Sequence, residues 1–211
     1  MTRLTLVAAA VLLMMMTTAA RAAELIDRVL AVAAGTLITL SDVNTARELH
    51  LIAAPTEGDP VQVILPRLID RALMLAEVER YAPPEPTDAD VNERLEGIQK
   101  TFPSPEAFRQ AMTRVGTDAA HLRETLRQDL RLLMYLDQRF IVQQPDESEV
   151  SRYFEDHAAR FAVNGRTPPL DEVRSRVLEA IIAERRQRLV DDWIAGLRRR
   201  SEILDLTASV P

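Results

Sequence analysis

The sequence predicts a mainly α-helical fold, a multi-helix module with long N- and C-terminal helices and one small β-sheet. Apolar residues recur at helical spacing along most of the 211-residue chain, in segments that Pro and Gly separate. Short alternating segments stand only near the two ends, a hairpin over 23–39 and a strand within 201–206. Because a strand needs a partner, we expect the N-terminal hairpin and the C-terminal strand to meet in one sheet.

The first segment, residues 1–22, has the pattern of a secretory signal peptide. Arg3 supplies the positive charge, and Leu4–Met16 is an apolar run within the range of about 7–15 residues that such signals use. Ala20-Arg21-Ala22 then provides a cleavage site between small residues. An uncleaved membrane anchor is the alternative, but a spanning helix needs about 20 apolar residues. We therefore expect a mature chain of residues 23–211.

The first helix is expected directly after the hairpin. Gly35 can supply the positive φ that the hairpin turn requires. Thr39 or Ser41 can cap the helix, and Asp42 is placed to complete a capping box with Thr39. We expect this helix to run from Asp42 to about Ile52.

Capping residues, Pro and Gly delimit the remaining helices. A loop over 54–60 precedes the second helix, in which Pro66 stands near the start, where its missing N–H is tolerated. Gly116 should end one helix and Thr117 should cap the next. The expected helices are 61–81, one from Thr87 to the break at Phe102-Pro103, one from Ser104 to Gly116, one over 118–141, a short one beginning at Pro145, and one over 170–200.

Each of the two longest late helices is predicted to bury one apolar stripe. In helix 118–141 the stripe is Leu122, Leu126, Leu130, Leu133 and Phe140. In helix 170–200 it is Val173, Val177, Ile181, Ile182, Leu189, Trp193 and Leu197. These stripes predict one domain over 23–211, with N-terminal helices within 23–162 and a closing helix and strand within 168–207.

No residue pattern in the sequence predicts a catalytic site. Ser41, Asp42 and His50 are the one imaginable triad, but a nucleophilic Ser needs a strained turn or oxyanion donors, and helix capping accounts for Ser41. Adjacent carboxylates such as Asp191-Asp192 are interpreted as solvated helix surface, and the pair Glu147/Glu149 is interpreted in the same way.

No pattern predicts a metal or cofactor site either. His50, His121 and His157 lack the spacing of metal ligands, there is no Cys, and each His is interpreted as a helix-surface residue. The glycines do not form a phosphate-binding loop. We therefore expect neither a metal nor a cofactor.

The charge balance argues against nucleic acid as a partner. The chain has 32 acidic and 26 basic residues, a net charge of -6, whereas nucleic-acid binding draws on a basic face. Two arginine-rich segments, 185–188 and 198–200, are local exceptions. The second is expected at a helix C-terminus, where the helix dipole favours cations.

Several short segments follow one another along nearly the whole mature chain: Asp27–Val32 followed by Gly35, Ile38–Val43, Leu68–Leu73, Thr87–Val91, Phe108–Gly116, Leu122–Glu124, Pro168–Val173 and Arg185–Leu189. In this order they resemble the SurA-type periplasmic chaperones.

The chain departs from this family where a parvulin prolyl-isomerase domain is usual. Tyr153–Phe161 resembles the lead-in to such a domain, but the sequence then passes through Val163–Arg166 directly to Pro168-Pro169. A folded isomerase needs on the order of 90 residues. The resemblance therefore implies that no residue inherits the isomerase site, His157 included, and that the chain is not an enzyme.

The resemblance implies an ATP-independent chaperone that binds unfolded or extended polypeptides, outer-membrane proteins above all, in the periplasm. It also implies no stable insertion in a membrane after signal cleavage. Client-binding residues are not identifiable from the sequence, because core and groove residues have the same composition. Two alternatives stay open, a relative of prolyl isomerases and a non-catalytic helical assembly partner that forms a dimer through its long arms.

Overall fold

The computed structural model of the chain describes residues 27–53 and 58–207. The signal peptide expected over 1–22 and part of the loop 54–60 lie outside the described residues. The elements in chain order are β1 (Val29–Ala33), β2 (Thr36–Thr39), α1 (Leu40–Glu48), α2 (Pro60–Tyr81), α3 (Asp88–Gln99), α4 (Pro105–Arg114), α5 (Ala119–Arg139), α6 (Glu147–His157), a 3-10 helix (Ala158–Phe161), α7 (Leu170–Arg200) and β3 (Ile203–Asp205). The prediction of a mainly helical fold with one small sheet is confirmed.

The sheet joins the two ends of the described chain. Its strand order is β2-β1-β3, and both pairings are antiparallel. Ala34 and Gly35 form the turn between β1 and β2 with φ values of 48° and 78°, the positive values that two-residue hairpin turns require. On the other side of β1, Val32 stands opposite Leu204. The predicted meeting of the hairpin and the C-terminal strand is confirmed.

Side-chain caps begin the helices close to the predicted positions. The Thr39 hydroxyl accepts a hydrogen bond from the Asp42 N–H (3.2 Å), and the Asp42 carboxylate accepts one from the Thr39 N–H (2.8 Å). Thr87 and Asp90 repeat this capping box at the start of α3. Ser104 accepts from the Ala107 N–H at the start of α4. These bonds satisfy N–H groups that have no partner within a helix.

Helix α2 begins one residue before the predicted start. Asp59 caps it by accepting a hydrogen bond from the Val61 N–H (2.9 Å), and Pro60 occupies the first helical position. Pro66 is the seventh residue of the helix, beyond the first turn, so the expectation that it stands where a missing N–H is tolerated was wrong.

Helix α1 ends at Glu48, short of the predicted end near Ile52. The cause is His50, which has the left-handed φ of 55°. The Leu51 N–H then donates back to the Ala46 carbonyl (2.9 Å), which closes the helix C-terminus. His50 therefore lies in the turn after α1, and its interpretation as a helix-surface residue was wrong.

The predicted cap of α5 was wrong by one residue. Gly116, with φ of 66°, ends α4 as expected. The Thr117 N–H donates to the Met112 carbonyl (3.1 Å) and so belongs to the end of α4. The next residue, Asp118, caps α5 by accepting from the His121 N–H (2.7 Å).

Buried side chains form three clusters. The first joins the sheet, α1, α2 and the C-terminal halves of α5 and α7, and includes Leu30, Ile38, Val43, Ile64, Leu73, Val78, Leu132, Tyr135, Trp193 and Leu197. The second joins α3, α4 and the N-terminal half of α5, and includes Leu49, Val91, Ile98, Phe108, Leu122 and Leu126. The third joins α6, the 3-10 helix and the N-terminal half of α7, and consists of Val150, Phe161, Val173, Val177 and Ile181. Among the described helices, none combines the length and apolarity that crossing a bilayer demands.

Both predicted stripes are correct at their ends and wrong in the middle. In α5, Leu133 is 49% exposed, and Leu132 is buried in its place. In α7, Leu189 is 45% exposed. In each of these two helices, the first half packs in one cluster and the second half packs in another. The buried side therefore shifts around the helix axis from the first half to the second.

The connection from α6 to α7 is short. After the 3-10 helix, Val163 and Arg166 exchange two backbone hydrogen bonds (2.9 and 3.0 Å) around Asn164 and Gly165, which both have positive φ. Residues 147–166 thus consist of a helix, a 3-10 helix and a two-residue turn.

Glu184 of α7 fixes the 3-10 helix. Its carboxylate accepts a hydrogen bond from the Tyr153 hydroxyl (2.6 Å) and forms an ion pair with Arg160. The hydrogen bond from Tyr153, and then the one from Arg160, hold the pKa of Glu184 below its ordinary value.

Leu197→Ala and Leu189→Ala will separate the buried side of α7 from its exposed side. Leu197 is 2% exposed in the first cluster, so its truncation should lower the free energy of unfolding by about 3 kcal/mol. Leu189→Ala should change it by no more than about 0.5 kcal/mol. Urea unfolding followed by circular dichroism measures both, and equal losses would contradict the described packing.

Glu184→Gln will destabilise the protein at neutral pH and much less in acid. A carboxyl whose pKa is lowered by folding contributes stability that is present above the unfolded pKa, about 4.3 for Glu, and is lost as the pH falls through the folded pKa. Thermal unfolding at about pH 7 and about pH 3 measures the difference from the wild type. Glu179→Gln, an exposed position on the same helix, is the control, and a difference that persists unchanged in acid would contradict the role of Glu184.

Candidate functional site

A cleft of about 690 Å³ opens beside α2. Residues of α2 form its floor, β2 and α1 form one wall, and the turn 115–117 with the first half of α5 forms the other. A second hollow of about 530 Å³ is lined only by α4 side chains, Glu106, Arg109, Gln110, Thr113 and Arg114, and is an open helix surface. The cleft is therefore the candidate site.

The floor of the cleft is apolar. It consists of α2 side chains at helical spacing, Leu68, Ala72, Leu75 and Ala76, with Leu51 and Ile52 lining the cleft from the segment after α1. Leu68 and Leu75 pack against the first cluster but are only half-buried. The floor thus presents apolar surface that a ligand can cover.

Ion pairs brace the cleft between α2 and α5. Arg71 donates from Nε to the Asp129 carboxylate (2.5 Å) and from Nη2 to the Thr125 carbonyl (3.3 Å). Two residues further along α5, Arg131 donates to Glu79 of α2 (2.6 Å). Both arginines therefore tie the same two helices together, and their charges are neutralised within the protein.

The rim carries one strongly exposed apolar side chain, Leu37 of β2, which is 60% exposed. Its neighbour Ile38 is buried in the first cluster. Adjacent strand residues face opposite sides of a sheet, so one of two consecutive apolar residues must face outward. That rule was the sequence signal that could have identified Leu37 as a surface residue.

Two buried side-chain atoms of cleft residues make no hydrogen bond among the described residues, the Thr117 hydroxyl and Arg131 Nε, and Arg131 Nε still lies 3.3 Å from the Glu85 carboxylate. Thr117 lines the cleft, but its hydroxyl is excluded from solvent and makes no hydrogen bond among the described residues. Burying a hydroxyl without a hydrogen bond costs free energy, so this hydroxyl lowers the stability of the folded chain.

The imagined triad is not assembled. Ser41 and Asp42 line the cleft, but the Asp42 carboxylate is engaged with Thr39 as part of the helix cap. The cap belongs to Thr39, and the Ser41 N–H donates instead to Asp27 (3.2 Å). His50 lies elsewhere, stacked on a phenylalanine of the second cluster.

The three histidines lie apart in the structure. His50 stacks on Phe102 with ring centroids 4.7 Å apart, and its Nδ1 lies 2.9 Å from the Thr101 hydroxyl. His121 lines the cleft in the first turn of α5, and His157 stacks on Tyr153 at the end of α6. Within 27–53 and 58–207, no three His, Cys, Asp or Glu side chains come together as metal ligands.

Four arginines of the two arginine-rich segments of α7 are paired with acids. Arg198 donates to Asp70 of α2 (2.6 Å), and Arg200 lies 3.1 Å from the buried Glu77 of the same helix. Earlier on α7, Arg185 and Arg186 form ion pairs with Glu149 and Asp137. These arginines connect α7 to other helices.

The acidic pairs considered in the sequence also separate. Glu149 both pairs with Arg185 and accepts from the Asp146 N–H in the cap of α6, and Glu147 pairs with Arg174. Asp191 and Asp192 are exposed on α7.

Comparison of the chain with models of protein families gave no match, and comparison with curated proteins gave none either.

Thr117→Val will leave the free energy of unfolding unchanged or raise it by up to about 1 kcal/mol, because it removes an unpaired buried hydroxyl at nearly constant volume. Thr87→Val is the matched control, because the Thr87 hydroxyl caps α3, and its loss should cost about 1 kcal/mol. Thermal unfolding measures both. If Thr117→Val destabilises as much as the control, its hydroxyl has a partner in the folded protein.

Proposed function

We propose that this chain is an ATP-independent periplasmic chaperone that binds unfolded or extended polypeptides, outer-membrane proteins in particular, in the cleft beside α2. The observation that carries the proposal is a cleft with an apolar floor and a polar, ion-paired rim. Apolar contact of modest extent gives reversible capture without an energy source.

The construction of the cleft supports a binding role. One side of α2 is buried in the first cluster. The side that carries Leu68 and Leu75 lines the cleft and is not fully covered by any other element of the described chain. Arg71 and Arg131 span from one helix to the other and keep α5 in place beside the floor. A preformed cleft lowers the ordering cost of binding an extended chain.

The proposed compartment and the absence of catalysis rest on the sequence. The pattern of residues 1–22 supports export, and the net charge of -6 favours a chaperone that stays dispersed. The short connection through Val163–Arg166 supports a binding module, because the SurA-type resemblance places the isomerase domain at this point of the chain.

The mature chain, residues 23–211, will suppress the aggregation of a urea-unfolded outer-membrane β-barrel protein on dilution, as followed by light scattering. Stoichiometric amounts should be sufficient. No suppression at a several-fold excess would contradict the proposed function.

The same assay locates the site with a matched pair of variants. Leu37→Gln changes a cleft residue that is 60% exposed, and Leu133→Gln changes a residue that is 49% exposed and outside the cleft lining. Leu37→Gln should weaken client binding about tenfold, the effect of losing about 1.5 kcal/mol of apolar burial, whereas Leu133→Gln should have no effect. Equal effects would show that clients bind outside the cleft.

A further inference from the structure

Within 27–53 and 58–207, no strand pairs with the edge of β2 that faces away from β1. Ala33 and Thr36 flank the two-residue turn, so they form a hydrogen-bonded pair, and the next pair, Val32 and Leu37, is not hydrogen-bonded. The far side of β1 agrees with this register, because the Leu30 carbonyl accepts from the Leu206 N–H (2.9 Å) across β3. The N–H and C=O of Leu37 therefore point away from the sheet.

The free edge lies at the cleft. β2 is an outer strand of the sheet, and Thr36, Leu37 and Ile38 all line the cleft. Leu37 therefore presents both an exposed apolar side chain and outward-facing N–H and C=O groups. A segment that extends along β2 would thus gain main-chain hydrogen bonds and apolar contact together.

The charges of the cleft select the kind of segment. Three carboxylates line it, Asp42, Glu79 and Asp129, against two guanidinium groups, Arg71 and Arg131. The Glu79 side chain is 68% exposed, whereas that of its partner Arg131 is 14% exposed, so the acid is the partner presented to a ligand. The complement of this lining is a segment that carries Lys or Arg among its apolar residues.

We propose that β2 binds its client by strand addition: an extended segment with alternating apolar residues, carrying Lys or Arg rather than Asp or Glu, pairs with the free edge at Leu37. The inference rests on the proposed chaperone function and specifies its client. Strands of outer-membrane barrels have this alternation and expose the same backbone groups before they fold.

The test uses the mature chain and a labelled synthetic peptide of about six residues, in which valine alternates with lysine and threonine. Fluorescence anisotropy gives its Kd for the wild-type protein. A second peptide, N-methylated at alternate residues, cannot pair along one edge, and a third has Glu in place of Lys. We expect N-methylation to weaken binding about tenfold, and the exchange of Lys for Glu to weaken it several-fold.

Two protein variants locate the edge. Leu37→Pro removes the outward N–H without removing a bond to β1, since proline is tolerated on an edge strand whose N–H faces outward. Asp205→Pro removes an outward N–H on the opposite edge, at β3, together with the carboxylate that accepts from Thr207. Leu37→Pro should weaken binding of the first peptide more than Leu37→Gln does, because Leu37→Gln loses the apolar side chain but keeps the N–H. The two variants should bind the N-methylated peptide alike, and Asp205→Pro should have no effect on either peptide.

The outcomes are distinct. Equal Kd values for the plain and N-methylated peptides, or equal losses for the two proline variants, overturn strand addition. If Leu37→Pro does not fold, as judged by thermal unfolding, the comparison of the plain and N-methylated peptides on the wild-type protein decides alone.

Suppression of aggregation without an effect of N-methylation supports the chaperone function and overturns only strand addition. Loss of both removes the proposed function.

Discussion

The burial of α2 is the constraint on which the rest of the structure depends. The sheet, α1, α5 and α7 all pack against this helix. A surface helix has an apolar stripe of about 100° or somewhat more, but α2 is apolar over a wider arc. One part of that arc is buried by the first cluster, and the part with Leu68 and Leu75 becomes the floor of the cleft. The candidate site is thus a consequence of having more apolar helix surface than the fold covers.

Ion pairs of arginine orient the helices that pack around α2. The chain has a single lysine, Lys100, and its ion pairs between helices are formed by guanidinium groups with fixed donor geometry. Pairs at a protein surface add little to stability, so their contribution here is orientation. The guanidinium of Arg139 acts similarly where α5 meets α2 and α7, lying 5.6–6.0 Å from the ring centroids of Tyr81, Tyr135, Phe140 and Trp193.

Local rules in the sequence predicted the helices, the hairpin and the sheet well. The Thr39–Asp42 and Thr87–Asp90 capping boxes act within four residues, so neighbouring residues contain the whole signal. The end of α1 was missed because a histidine, rather than a glycine, adopts the left-handed conformation there.

The cleft could not be predicted in the same way. Its lining combines β2, α1, α2 and α5, and whether Leu75 lies in the core or Leu189 at the surface depends on which helices pack together. Hydrophobicity alone does not distinguish these positions. Only the alternation at Leu37 and Ile38 carried a local indication of exposure.

The turn between α6 and α7 is a position where this fold can accept an insertion. Val163 and Arg166 are bonded to each other, so the chain leaves the third cluster and re-enters it at neighbouring points. A folded domain whose own termini lie close together can replace Asn164 and Gly165 without displacing either helix, as is usual for insertions at exposed turns. Removal of such an insert would likewise leave α6 packed against α7, so this turn is a point where the chain length can change without disturbing the third cluster.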